Sequence, residues 1–532
     1  MPRSTQKLNK WTIMCFSASD NDLSLFNVSQ LKALKEAGYQ KDTEVLAYAD
    51  SNENGVPTRL FNVNSSLKSR GVPTSIGDGD DPYVRNFVPD EIPIDDLEKL
   101  SGTCTKELVK ALKRPDRMNA SAALENFIGY CLEHHPAEHY LLFCMGHGLI
   151  VGNDSFLFDA NPHSGITLRR LGEIIRSFTS KAQRHGVLEL LCFHSCSMSA
   201  VEVAYELKGT ARYMIASEGF SYVGSWPYRQ LLKKIFNATE YGSLDDRQMQ
   251  ELTQRVYELS LYNATDFAYC GYSHDLTLCS LAPNKVTAFA DALKPLVQNL
   301  KQALTDDRGQ ELIQLAHLKS QSFWREDYTD IYDFCRCLRE RCDQKNELQG
   351  SLYRECTKVM DLLEQQASPF DGLIVFSDNF GWEYQYAHGL SIYFPWSAPM
   401  GNGAFNPLRN YRRYAFTIDG GRDSWFSFLK EYWKVTMRLP ESKARTVDSD
   451  SLSHSPIPGE LSGNKPGGVM DKPGGRINKP GGGYADSPCI CPSIKNYPFT
   501  IKLDRRWRKT SWTPRVAEVV NEGLRGRRNE RG

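Results

Sequence analysis

The chain has 532 residues, 64 Lys+Arg against 64 Asp+Glu, 41% hydrophobic and 24% charged residues. This is the balance of a globular protein with material for a large core, and its neutrality excludes a surface built throughout for nucleic acid. No stretch approaches the roughly 20 apolar residues that cross a bilayer. The short apolar run Trp11–Phe16 soon meets Asp20 and Asp22 and is too brief for a signal-peptide core, so no membrane association is expected. Fourteen irregularly spaced cysteines are too sparse for a disulfide scaffold. Without an export signal they are expected to be mostly reduced thiols of a cytoplasmic protein.

Residues 1–10 form a polar leader, expected to be disordered, and residues 11–17 form a short β-branched and aromatic run that predicts a buried strand. Leu23, Phe26, Leu31 and Leu34 at helical spacing predict a helix over 22–37 that Gly38 stops. Strands at 44–50 and 59–63 flank the turn SNENG. Residues 64–117 are polar and weakly patterned, with the acidic cluster GDGDD at 77–81. Helix 119–134, strand 139–145, helix 168–184, strand 187–193, helix 199–207 and strand 212–217 follow. Strands alternating with helices imply parallel pairing in a doubly wound α/β sheet. Residues 11–245 are therefore assigned to an α/β domain, and 246–435 to a mainly helical C-terminal region that completes it. That region carries amphipathic stretches at 286–304 and 351–366, a strand near 267–273, and GLSIYFPW (389–396), a strand ended by proline.

The composition then breaks. Residues 436–490 are rich in Gly, Pro and Ser, with KPGG recurring at 465, 472 and 479, and this predicts a flexible linker. Residues 491–532 are a basic tail. Eleven Lys or Arg against four acidic residues over 495–532 leave about +7. Trp507 and Trp512 among them permit base stacking, but solvation or docking to a protein partner is the commoner use of such a tail, and nucleic-acid binding is not expected.

Two segments carry chemistry. YLLFCMGHG (140–148) is an apolar run ending in Gly-His-Gly, and VLELLCFHSC (187–196) is an apolar run ending in cysteine. Ligands of open parallel sheets sit at the carboxyl ends of strands, where both His147 and Cys196 fall. An imidazole near a thiol makes it a thiolate nucleophile. The glycines let backbone approach a substrate closely, and the amides of Gly148 and Cys196 are candidates to stabilise an oxyanion. On the residues alone, Cys196 also reads as a small buried hydrophobe closing a strand.

Other candidates are weaker. DSNENG (50–55) begins like a calcium loop but has Phe61 at the twelfth position, so a turn between strands is expected. Cys335, Cys337 and Cys342, with the distant pair Cys489 and Cys491, lack the spacing of a zinc site. His134, His135 and His139 read as a solvated turn. Ser221 in GFSYVG misses the nucleophile-elbow pattern by one residue.

The blocks FHSCSMSAVEVAYEL (193–207) and ASEGFSYVGSWPY (216–228) resemble the nucleophile region of the clostripain family of cysteine peptidases, and FCMGHG (143–148) resembles its histidine block. SASDNDLS (17–24), HHPAEHYLL (134–142) and HGLSIYFP (388–395) extend the resemblance, in order, over about residues 11–435. The resemblance implies a caspase-like α/β fold and hydrolysis of peptide bonds in protein substrates, often after Arg or Lys. Cys196 is the implied nucleophile, His147 the general acid/base. It implies no cofactor, although some relatives need calcium, for which GDGDD would be the candidate loop. The family commonly has Asp-Ala-Cys at the nucleophile, the Asp helping to bind a basic P1 side chain. Here His194-Ser195-Cys196 stands instead, so His194 enters the substrate pocket without fixed charge, and Glu218 or Glu202 would have to supply it. A peptidase of this kind is expected to be latent until cleaved or triggered by an activating protease or regulatory partner, with 64–117 and the Arg169-Arg170 pair as motives for a cleavage site. By analogy alone it would belong to a bacterial stress or antiviral response. The alternative is a catalytically idle caspase-like scaffold that binds a protein partner and docks through its basic tail.

Overall fold

The computed structural model describes residues 8–21, 23, 27–50, 59–63, 119–149, 154–160, 163–240, 244–265, 267, 271–364, 368–399 and 407–436. GDGDD, the KPGG linker and the basic tail lie outside the described residues.

Near-continuous burial along the central strands decides the architecture. The central sheet has eight strands: β1 (Asn9–Ser17), β2 (Thr43–Ala49), β3 (Arg59–Asn62), β4 (Ala137–Met145), β7 (Val187–His194), β8 (Tyr213–Ala216), β9 (His274–Ser280) and β12 (Ile374–Phe380). Their spatial order is β12-β9-β8-β7-β4-β1-β2-β3. From β8 to β2 every pairing is parallel, and the antiparallel strands sit at the edges, β3 beside β2 and β9–β12 beside β8. A short hairpin of β5 (Phe156–Ala160) and β6 (His163–Ile166) follows β4. A small sheet of β10 (Ser322–Phe323), β11 (Tyr328–Asp330) and β13 (Ser391–Tyr393) lies in the C-terminal region.

Period-two side-chain placement gives the sheet two buried faces. Ile13, Cys15, Leu141, Phe143, Leu190 and Cys192 join one core with helices Asn27–Glu36, Tyr228–Thr239 and Asp246–Asn263. Met14, Phe16, Tyr140, Leu142, Leu191 and Phe193 join the other with helices Ala120–His134, Leu168–Ala182 and Val201–Glu206. The C-terminal helices Pro283–Ala303, Ile331–Arg339, Glu347–Leu363 and Trp425–Thr436 extend that second core. The mostly parallel α/β fold expected from the sequence is thus the fold observed, and residues on both sides of position 245 share its one sheet. Among the described residues, no helix is long and apolar enough to cross a membrane.

Local differences from the sequence reading have physical causes. The strand expected near 267–273 begins instead at His274, because Gly271 takes φ +85° in the turn that precedes it. The helix expected from 351 starts at Glu347, where the Asn346 side chain accepts the Gln349 N–H. Arg169 and Arg170, expected near a cleavage site, occupy the first helical turn after the Thr167 cap. Arg170 is paired with Glu125 and Glu173, so this backbone is not an open loop. His139, read as part of a solvated turn, lies in β4 with Nδ1 2.9 Å from the buried Glu189 carboxylate.

Candidate active site

Because β4 and β7 are parallel neighbours with Met145 opposite His194, the chain leaves both strands at the same rim of the sheet. His147 is two residues beyond one strand end and Cys196 two beyond the other. The two turns are laced together. The Gly146 N–H donates to the His194 carbonyl at 3.5 Å and the Leu157 N–H to the His147 carbonyl at 2.9 Å.

Both glycines flanking His147 are required by space. Gly146 has φ +150°, and a Cβ there would stand 2.9 Å from the Ala18 carbonyl oxygen. At Gly148 a Cβ would fall 1.7 Å from the carbonyl oxygen of Cys196 and 2.7 Å from its nitrogen, so this backbone lies directly against that of Cys196. The structure therefore brings His147, Gly148 and Cys196 together. Cys196 is 1% exposed and His147 3% exposed, so the pair is enclosed.

Past Cys196 the backbone turns sharply. Ser197 has φ +54°, a left-handed conformation that disfavours a side chain. The segment after β8 runs alongside: the Ser197 N–H donates to the Gly219 carbonyl and the Ser199 N–H to the Ser217 carbonyl, each at 2.9 Å. The Ser221 N–H points at the Cys196 sulfur, with N to Sγ 3.3 Å. Ser221 thus meets Cys196 through its backbone. The sequence offered no signal for this, because the contact depends on the neighbouring strand β8.

His194 is buried, with Nε2 2.8 Å from the Tyr222 carbonyl and Nδ1 3.0 Å from the Tyr228 hydroxyl. A carbonyl can only accept, so Nε2 carries the proton, and Nδ1 accepts from Tyr228. Burial pushes its pKa down to about 4. The ring is neutral at pH 7, in keeping with a pocket position that carries no fixed charge.

The two glutamates considered for the pocket are also buried. Glu202 Oε1 accepts the Tyr411 hydroxyl at 2.6 Å and the Tyr393 N–H at 3.1 Å. Glu218 Oε2 accepts the Gly389 N–H at 2.9 Å, and burial, reinforced by Asp330 and Asp275, raises its pKa well above the usual carboxylate range. Asp275 accepts the N–H groups of Glu218 at 2.6 Å and Gly219 at 2.9 Å. Burial, with Asp330 nearby, pushes its pKa up to about 7, and burial pushes that of Asp330 up to about 6.

Among the described residues, no group of three or more His, Cys, Asp or Glu side chains is placed to hold a metal ion. The described cysteines, including Cys335, Cys337 and Cys342, are free thiols.

The model of the clostripain family of peptidases, C11, matches residues 15–388. Clostripain of Hathewaya histolytica is 24% identical over 332 residues, covering 54% of this chain and 59% of that protein. An inactive zymogen C11 protease from Parabacteroides distasonis has 15% identity and a TM-score of 0.47, covering 78% of this chain and 99% of that one. A secreted C11 cysteine protease from Bacteroides thetaiotaomicron, solved with an irreversible peptide inhibitor, has 16% identity and a TM-score of 0.47, covering 77% of this chain and 98% of that one. The family match spans the strand ends that bear His147 and Cys196, and this chain belongs to the clostripain family.

Proposed function

We propose that this chain is a cysteine endopeptidase acting on protein or peptide substrates through Cys196 and His147. The observation that carries the reading is the β4–β7 register, which delivers the Gly-His-Gly turn and the cysteine to one rim, backbone against backbone. His147 takes the thiol proton, and the Cys196 sulfur bonds to the scissile carbonyl carbon as its π pair moves to oxygen. The amides of Gly148 and Cys196 donate to that oxyanion. As it collapses to a thioester, the C–N bond breaks and His147 gives its proton to the leaving amine. Water, deprotonated by His147, then hydrolyses the thioester and restores the thiol.

For P1 we propose a basic residue, as family membership suggests. With His194 neutral and both its nitrogens engaged, Glu202 held by Tyr393 and Tyr411, and Glu218 held by Gly389 with a raised pKa, the charge for an Arg or Lys side chain must come from another element. Asp20 is our candidate. It follows β1, the neighbour of β4, and its segment packs on the histidine turn, with Ala18 N–H donating to the Met145 carbonyl at 3.0 Å. The enclosure of Cys196 and His147 supports a latent state opened by cleavage or a partner.

A panel of fluorogenic peptides varied at P1 tests these points, with Cys196→Ala, His147→Ala and Asp20→Asn beside the wild type. Cys196→Ala is expected to abolish hydrolysis with little loss of stability, and His147→Ala to be nearly as damaging. Asp20→Asn is expected to lower kcat/KM selectively for Arg and Lys substrates. Turnover by Cys196→Ala within a few-fold of wild type would refute the mechanism. A P1 profile unchanged by Asp20→Asn would reassign the pocket. Repeating the panel with EDTA tests whether calcium takes part.

A further inference from the structure

The five residues Glu218–Tyr222 run alongside the turn that follows Cys196, and several of their backbone groups are held from outside. His274 and Asp275, the first two residues of β9, do much of this, and Ser273 just before them anchors the Tyr222 side chain. Asp275 accepts the N–H groups of Glu218 and Gly219 at 2.6 and 2.9 Å. His274 Nδ1 lies 3.2 Å from the Phe220 carbonyl. The Ser273 carbonyl accepts the Tyr222 hydroxyl at 2.9 Å. From the other side, His194 Nε2 donates to the Tyr222 carbonyl at 2.8 Å. The two imidazoles do not grip Ser221 itself but the carbonyls immediately before and after it, those of Phe220 and Tyr222. The Ser221 N–H is directed at Cys196 Sγ.

Both rings are buried, and both have pKa values lowered to about 4, chiefly by burial. They are neutral donors throughout the ordinary working range. A carbonyl partner fixes the proton on Nε2 of His194 and on Nδ1 of His274, so each ring acts through one defined nitrogen. His194 has no nitrogen left for a substrate, since Nδ1 accepts from Tyr228.

We propose that His194 and His274 are a pair of positioning residues that hold Ser221 so that its amide stabilises the Cys196 thiolate. The position two residues before the nucleophile thus serves alignment of the thiolate rather than reading of the P1 side chain. An N–H donor to sulfur favours the charged form and makes the thiol a stronger acid. The assignment rests on Cys196 being the nucleophile of the proposed peptidase.

The test uses the full chain and reads Cys196 acidity directly, from ultraviolet thiolate absorbance against pH in difference from the same protein carrying Cys196→Ala. His194→Ala and His274→Ala are each expected to raise the titration midpoint by about one unit, a tenfold loss of thiol acidity. An Asn side chain places its amide nitrogen where Nδ1 sits, and a Gln places it where Nε2 sits. His274→Asn and His194→Gln should therefore restore the midpoint to within about threefold in acidity, and the exchanged pair, His274→Gln and His194→Asn, should not. Equal rescue by both pairs would show that only ring volume matters and would overturn the proposal, as would alanine variants that leave the midpoint in place. If the alanine variants do not fold, the comparison of the two amide pairs decides. Failure of the peptidase reading would look different: wild type would cleave no peptide even after limited proteolysis, whatever the titration shows.

Discussion

Replacing Gly148 with alanine puts a methyl carbon 1.7 Å from the Cys196 carbonyl oxygen and 2.5 Å from its carbonyl carbon. A carbon and an oxygen that are not bonded normally approach no closer than about 3.2 Å, so the two backbones must separate by about 1.5 Å. Neither can rotate away as a side chain would, because both atoms met are main chain. The displacement falls on the alignment of His147 with Cys196 and on the Gly148 amide, the proposed oxyanion donor. A misplacement of about 1 Å costs on the order of 100-fold in rate, and one lost oxyanion donor costs about 100- to 1,000-fold. We expect kcat/KM to fall at least about 100-fold, or roughly 3 kcal/mol of transition-state stabilisation. The assay is hydrolysis of the best peptide of the panel, with thermal melting in parallel. Gly271→Ala is the matched control. Its φ of +85° also disfavours a side chain, but a Cβ there meets nothing within 4 Å, so it should lower stability by about 1 kcal/mol and leave kcat/KM alone. A folded Gly148→Ala enzyme with kcat/KM within about fivefold of wild type would refute both the close packing and the catalytic place given to this turn.

Ser197→Gly should melt at or above the wild-type temperature, because glycine tolerates φ +54°, whereas Ser197→Val should lose about 2 kcal/mol or more; equal melting of the two would remove the strain argument. His194→Asp replaces a donor facing the Tyr222 carbonyl with an acceptor, and should destabilise the fold by about 1–3 kcal/mol or more; an unchanged denaturant midpoint would contradict the buried contact. Asp275→Asn probes the raised pKa of this buried carboxyl. The folded pKa of Asp275 is raised above its ordinary value of 3.8 to about 7, so its protonation stabilises the fold at low pH, and that contribution is lost as pH climbs through about 7. The stability gap between wild type and Asp275→Asn should therefore be larger at pH 5 than at pH 8. His194 and His274 act in the opposite sense, losing stability as pH falls from 6.5 towards 4, but they are common to both proteins and cancel in the comparison. A gap that is equal at the two pH values, or larger at pH 8, would refute the raised pKa.

The parallel core was legible because β1, β4 and β7 are continuous apolar runs separated by amphipathic helices, the pattern of strands buried on both faces. His147 and Cys196 were legible because each ends such a run, and the rim of a parallel sheet is where chemistry collects. The strand β12 gave a weak signal, since its Ser377, Asp378 and Asn379 sit on an edge where one side is only partly covered. The grip on Glu218–Tyr222 had no signal at all. Ser273, His274 and Asp275 act on residues more than 50 positions away, and local pattern says nothing of which carbonyl a distant imidazole will meet. His194 illustrates the same limit: its place beside the nucleophile was readable from spacing, but its neutral state follows from Tyr222, Tyr228 and burial.

β1 is the first strand in sequence yet lies deep inside the sheet, between β4 and β2. A protease cut anywhere between β3 and the helix Ala120–His134 would sever the covalent link between β1 and β4 but not their ladder, which pairs Asn9 with Ala137 at one end and Ser17 with Met145 at the other. The shorter piece could leave only by splitting the sheet through its middle and wetting Ile13 and Cys15 on one side and Met14 and Phe16 on the other. A nicked molecule would therefore behave as a two-chain protein. Its fragments would co-migrate on a sizing column in native buffer and part only in denaturant, and once parted, the short fragment would carry a bare strand with two greasy faces and little prospect of refolding alone.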